Sequence, residues 1–153
     1  MKKLTLKLVL PLTIISFILY TKWWYVEIID GDNTLLYGFP YPFMTNGPTS
    51  LSFVFFIKEF FVDFLVYFLS WFVFVFFIHK FIKKIIAKKI LTIPLWTATI
   101  LLVVFVFGIT PKDANIYYTK MPKTYRYKVV ETEFNFIGNN QRRTYFHNYL
   151  DDK

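Results

Sequence analysis

Residues 60–78 read "FFVDFLVYFLSWFVFVFFI", with a single charged side chain, Asp63. Left in water as a helix, such a run would expose apolar surface all round. A helix that crosses a bilayer needs about 20 mostly apolar residues, so a membrane span is the first expectation. Residues 90–109, "ILTIPLWTATILLVVFVFGI", form a second run with no charge at all. Pro94 is expected near its first turn, where a missing N–H costs least. Gly108 and Pro111 mark its end.

A third run, "LTLKLVLPLTIISFILY" at residues 4–20, follows Lys2 and Lys3. A cleaved signal needs small residues at the cut site. This run leads instead into Lys22, Trp23 and Trp24, an aromatic belt of the kind found at membrane surfaces. Residues 1–22 therefore read as an uncleaved anchor. Pro11 should bend it, because proline removes a backbone donor.

The fold class is an α-helical membrane protein. It has three transmembrane helices and a small β-rich extracytoplasmic portion formed by loop one and the C-terminal tail. The expected division is an anchor at 1–22, an exterior loop at 23–48 and a third span at 90–109. Residues 49–79 hold an interfacial lead-in and the second span. A lysine-rich connection at 80–89 and an exterior tail at 110–153 complete it. Hydrophobic residues make up 56% of the chain, against about 45–50% in soluble domains.

The connection carries Lys80, Lys83, Lys84, Lys88 and Lys89. Short lysine-rich loops stay cytoplasmic, and the same surface attracts anionic headgroups. Lys2, Lys3 and Lys7 then place the N-terminus inside. No lysine lies between Trp23 and Ile57, which suits an exterior loop. The tail is basic too, and the first helix decides the orientation between these competing charges. Net charge is +8, yet only Arg126, Arg142 and Arg143 of the 18 basic residues are arginine. Arginine is the residue for bidentate phosphate and base contacts, so nucleic acid is not an expected partner.

Loop one holds two β-prone runs, "YVEII" and "TLLYGF", around "DGDN". Gly31 and Asn33 suit a hairpin turn. An EF-hand would need a third acidic or amide ligand and a glycine where Thr34 and Leu35 stand, so a turn is the reading there. Pro40 and Pro42 stiffen "GFPYPF" into extended geometry, with Phe39, Tyr41 and Phe43 set against headgroups or the tail. In "TYRYKVVETEFNFI", Tyr125, Tyr127 and Val129 alternate onto one face, and Val130, Thr132, Phe134 and Phe136 onto the other. A parity flip of this kind suggests a bulge or a change of partner. "GNNQ" (138–141) reads as a turn, and "RRTYFHNYL" as a returning strand.

Glu59, Asp63, Tyr67 and Ser70 share a stripe of about 80° on a helical wheel. Charge in lipid is costly and faces a partner. One reading makes the stripe an ion or proton site. The other leaves Glu59 and Asp63 in the headgroup zone, with Asp63 bonded to Tyr67 or Lys22. His79 beside the lysines and His147 near Asp151 are surface histidines in this topology. No cysteine is present, which excludes disulfides and thiol chemistry. No catalytic, cofactor-binding or metal motif stands in the sequence.

The richness in Lys, Ile, Phe, Asn and Tyr, together with "GFPYPF", resembles small multi-pass bacterial membrane proteins. That resemblance implies a bacterial inner membrane and assigns no residue a role. The expected partners are the lipid bilayer and a protein bound through the exterior aromatic surface. Function reads as a non-catalytic accessory or scaffold subunit. The alternatives are an oligomeric transporter subunit using Asp63, and a membrane-embedded enzyme on a lipid-linked substrate. With no native thiol, single cysteines report topology directly. Those replacing Asn33 and Asn139 should label from outside intact cells, and one replacing Lys84 only after permeabilisation.

Overall fold

The computed structural model describes residues 2–28, 33–47, 52–82, 85, 88–109, 115–122 and 126–136. The N-terminal helix comprises α1 (Lys2–Leu4), a π-helical turn (Thr5–Val9) and α2 (Leu10–Leu19). Pro11 sits buried at the start of α2. The change of pitch falls just upstream of it, where its missing donor leaves the helical ladder incomplete. The helix stops at Leu19 and not at residue 22, because Tyr20 already has extended backbone. Aromatic and β-branched residues dominate from there on and favour a strand. Trp23 and Trp24, expected as a belt beyond the helix, lie within that strand.

Among the described residues a sheet of six strands follows. Its members are β1 (Tyr20–Ile28), β2 (Thr34–Tyr37), β3 (Met44–Asn46), β4 (Phe53–Phe56), β5 (Ile116–Tyr118) and β6 (Tyr127–Phe136), in the order β5-β4-β3-β2-β1-β6. Strands β1 to β4 form an antiparallel meander. The tail adds β5, parallel, at one edge and β6, antiparallel, at the other. Loop one and the tail thus share one sheet.

Two elements differ from expectation. Phe53–Phe56, expected as a helical lead-in to the second span, is a strand. Val54 and Phe56 alternate into the core while Phe53 and Phe55 do not, and period-two burial selects a strand. The extended half of loop one also contributes β3. The "GNNQ" turn, with the returning strand after it, lies outside the described residues. So does Gly31 of the β1–β2 turn. Asn33 at that turn donates from Nδ2 to the Tyr25 hydroxyl, 3.1 Å away.

The β1–β6 register breaks once. Tyr25 pairs with Glu131 and Val26 with Val129, so Val130 is the extra residue of a bulge. The bulge has a clear purpose. Tyr127 and Val129 pair with Ile28 and Val26, while Thr132, Phe134 and Phe136 pair with Trp24, Lys22 and Tyr20. All five therefore stand on one sheet face, which strict alternation would have forbidden.

Two helices return from the sheet. α3 (Ile57–Phe77) continues through a π-helical turn (Ile78–Ile82), and α4 is Lys89–Ile109. Both are long and apolar enough to cross a membrane, and Thr5–Leu19 is a shorter apolar helix. Pro94 lies inside α4, past its first turn, because the helix begins at Lys89. Both α3 and α4 pack on α2 and the π turn before it. Trp71 Nε1 donates to Ser16 Oγ at 2.9 Å, and the Tyr67 hydroxyl donates to the Tyr20 carbonyl at 2.8 Å. These two bonds fix α2 and α3 as antiparallel neighbours. The outward faces stay apolar, with Ile90 83% and Phe107 67% exposed. Water would penalise that surface and lipid would not.

Deleting Val130 should leave every other β1–β6 pair in place and change stability by less than about 1 kcal/mol, since it only regularises the ladder. Deleting Thr132 closes the ladder by setting Glu131 opposite Trp24. It should cost about 2 kcal/mol, read by thermal unfolding in detergent.

Candidate functional site

The residue that the sequence marks most strongly, Asp63, is wholly buried. It lies on α3 where the helix passes beneath the loop at residues 38–43. Asp63 Oδ2 accepts a hydrogen bond from the Phe39 N–H, and Oδ1 accepts one from the Tyr41 N–H at 3.1 Å. Its partners are therefore main-chain amides. Tyr67 and Lys22, the partners expected from the sequence, act elsewhere. Tyr67 bonds the Tyr20 carbonyl, and Lys22 Nζ lies 3.8 Å from the Trp24 ring centroid. Two backbone N–H groups met the carboxylate first, and side-chain spacing along a helix carries no sign of them.

The pattern Gly-Phe-Pro-Tyr-Pro-Phe explains the loop. Pro40 and Pro42 have no N–H, so donors remain only at Gly38, Phe39, Tyr41 and Phe43. All four are used. Gly38 donates to the Lys22 carbonyl at 2.8 Å, and Phe43 donates to the Tyr37 carbonyl at 2.8 Å. Phe39 and Tyr41 donate to Asp63. The Gly38 carbonyl in turn accepts from Trp24 Nε1 at 2.9 Å. A buried loop is tolerable only when its backbone groups are satisfied in this way. Gly38 has φ +146°, and a Cβ there would overlap the Tyr41 carbonyl and sit 2.8 Å from Asp63 Oδ2. Only glycine fits both the conformation and the close approach. The Phe39–Pro40 peptide is cis.

The loop's aromatics separate by environment. Phe43 is buried against Phe17 and Phe60, and Phe39 packs on Phe134 at 4.9 Å. Tyr41 is exposed. Among the described residues, Phe39 meets the tail at Phe134, and Phe43 turns into the helices.

Glu59, one turn above Asp63, accepts from the Met121 N–H through Oε1 at 3.3 Å, and its Oε2 is buried with no partner among the described residues. The neighbouring Lys58 N–H donates to the Thr119 carbonyl at 3.0 Å. The tail thereby occupies the first turn of α3, whose amides lack intrahelical acceptors. Ser70 leaves the stripe: it is exposed and bonds the Val66 carbonyl of its own helix. The structure therefore brings Glu59, Asp63 and Tyr67 to one junction and excludes Ser70.

At the far end of α3, Lys80 is exposed beside Phe76 and Phe81. His79 Nδ1 accepts from the Ile85 N–H at 3.0 Å. Lys88 and Lys89 are exposed where α4 begins. Lys83, Lys84, His147 and Asp151 lie outside the described residues. Among the described residues no three His, Cys, Asp or Glu side chains gather into a metal-sized group.

The chemical capacity of Asp63 is that of a post. Both oxygens are engaged and no solvent reaches it. Sequence reasoning missed the amides of Phe39 and Tyr41, although alternating prolines do announce a few isolated donors in search of an acceptor. It also missed Asn115, whose Oδ1 accepts from the Phe53 N–H at 2.9 Å and steadies the β4–β5 edge.

Asp63→Ala strands two part-buried amides and should cost about 2–3 kcal/mol. Gly38→Ala should cost a similar amount, about 2–4 kcal/mol, through backbone strain and overlap. Thermal unfolding in mild detergent reads both, and proteolysis within residues 38–43 should rise in each. In comparisons with known proteins, no family model, curated protein or solved structure matches this chain.

Proposed function

We propose that the protein is an integral membrane protein whose three helical segments all lie in the bilayer. The N-terminus and the 80–89 connection face the cytoplasm, and the sheet stands outside. Its role is that of a non-catalytic accessory or scaffold subunit, which presents the sheet to a partner protein.

One observation carries the scaffold reading. The one fully buried carboxylate among the described residues spends both oxygens on main-chain amides. A proton or ion site must exchange its ligand with a pathway, and a carboxylate inside a saturated backbone cradle holds a loop in place. The apolar faces of α3 and α4 support the bilayer location. Tyr41, 57% exposed, supports protein contact, since exposed aromatics anchor interfaces.

Purified full-length in mild detergent, the chain should co-elute with a partner at fixed stoichiometry. Consistent isolation as a lone protomer would overturn the scaffold role. The transporter alternative separates on Asp63→Asn in proteoliposomes. The scaffold reading expects weaker folding and no ion or proton flux to lose, whereas flux abolished with insertion and folding intact would establish transport. A reporter fused after residue 153 should be active only outside the cytosol.

A further inference from the structure

The long helix formed by α3 and its π extension measures a distance. From Lys80 back to Lys58 it rises about 33 Å at 1.5 Å per residue, close to the roughly 30 Å of bilayer hydrocarbon. Both lysines are exposed. With Lys80 at one boundary, Lys58 stands at the other. Lys58 is also where the sheet is attached, through its N–H to the Thr119 carbonyl, directly beyond the β4–β5 pairing of Phe55 with Tyr117. The β4–β5 edge is therefore level with the edge of the hydrocarbon.

That edge is aromatic, and among the described residues no strand lies beyond β5. The Phe55 and Tyr117 rings stack at 5.5 Å with their planes 13° apart, and Tyr117 is 60% exposed. Alternation along β4 continues from Phe55 to Ile57, and Phe61 follows one helical turn later. Ile57 and Phe61 are 42% and 64% exposed. The surface thus passes without a break from the sheet edge into the outward apolar face of α3. Lys58 and Lys120 flank it, both exposed.

We propose that this edge is a membrane footing. Phe55, Tyr117, Ile57 and Phe61 sit in the headgroup layer of the sheet-side leaflet, and Lys58 and Lys120 lie against the phosphates of anionic lipids. Aromatic rings favour that layer, and basic side chains beside it are drawn to anionic phosphates. Continuity with the lipid-facing side of α3 selects lipid as the occupant over a second protein. The footing rests on the bilayer location proposed above, and it keeps the sheet lying against the leaflet.

The cysteine-free chain allows a direct test. Tyr117→Cys, Thr132→Cys and Phe105→Cys are each labelled with bimane in the full-length protein. Each is reconstituted in phosphatidylcholine vesicles with and without phosphatidylglycerol. The label at 117 should lose most of its emission to a lipid carrying a headgroup nitroxide and little to aqueous iodide, and the label at 132 should show the reverse. Iodide quenching at 117 equal to that at 132 would overturn the footing. So would protection at 117 from both quenchers, which means protein covers the edge. The label at 105 tests the bilayer location separately, through a nitroxide deep in the acyl chain. Quenching there with none at 117 sinks the footing alone, and no quenching at 105 sinks both. In the Tyr117→Cys background, Lys58→Gln with Lys120→Gln should abolish the extra headgroup quenching gained with phosphatidylglycerol. An unchanged gain would remove the lysine–phosphate contact.

Discussion

The structure turns on one buried carboxylate meeting the main chain of a loop. Asp63 projects from α3 at the level where helices give way to sheet, and the amides of Phe39 and Tyr41 close on it. Hydrogen bonds to a carboxylate outweigh those to neutral acceptors, and a site closed to water strengthens them further. The loop in turn links β2 to β3 and bonds to β1 and β4, through the Lys22 carbonyl and the Phe56 N–H. One side chain therefore orients the meander relative to the helix. Neither partner stands easily without the other, because the loop would hold orphan donors and the helix a buried carboxyl group with no partner.

Covalent continuity reinforces the post. Tyr20 follows Leu19 with no linker, and Ile57 follows Phe56 in the same way. A strand that becomes a helix within one residue leaves little freedom for one to swing against the other. The tail then closes the assembly from both sides. β5 joins β4, the residues just after it engage the first turn of α3 through Thr119 and Met121, and β6 runs along the whole of β1. A chain that passes between helix and sheet three times at one end has thus built one sheet from segments more than a hundred residues apart.

Much of this was legible in the order of residues. The apolar runs at 60–78 and 90–109 carry their own identity as helices, because length and the lack of charge leave few alternatives. The hairpin of β1 and β2 is written in β-prone runs around a turn. The bulge at Val130 is legible too, since two apolar sets on opposite parities cannot share a face without an extra residue. Less was legible where partners are distant. β3, β4 and β5 have three or four residues each, too few for periodicity to speak, and they exist because neighbours supply their hydrogen bonds. Phe53–Phe56 shows this best. Its residues suit an apolar helix equally well, and pairing with β3 and β5 decides.

The polar stripe marks the same boundary. Its 100° spacing puts Glu59, Asp63 and Tyr67 on one side of α3, and helical geometry alone guarantees that much. What each one touches could not follow from spacing. Asp63 took backbone amides, Glu59 took the amide of Met121 and Tyr67 took a carbonyl at the end of α2. Sequence by itself determined the apolar helices, the β-prone runs and the face on which each polar group stands, because these depend on local period and composition. Tertiary structure alone decided the partners, the union of loop and tail in one sheet and the burial of Asp63. Hydrogen bonds close between groups far apart in the chain, and no local pattern records which acceptor a distant donor will reach.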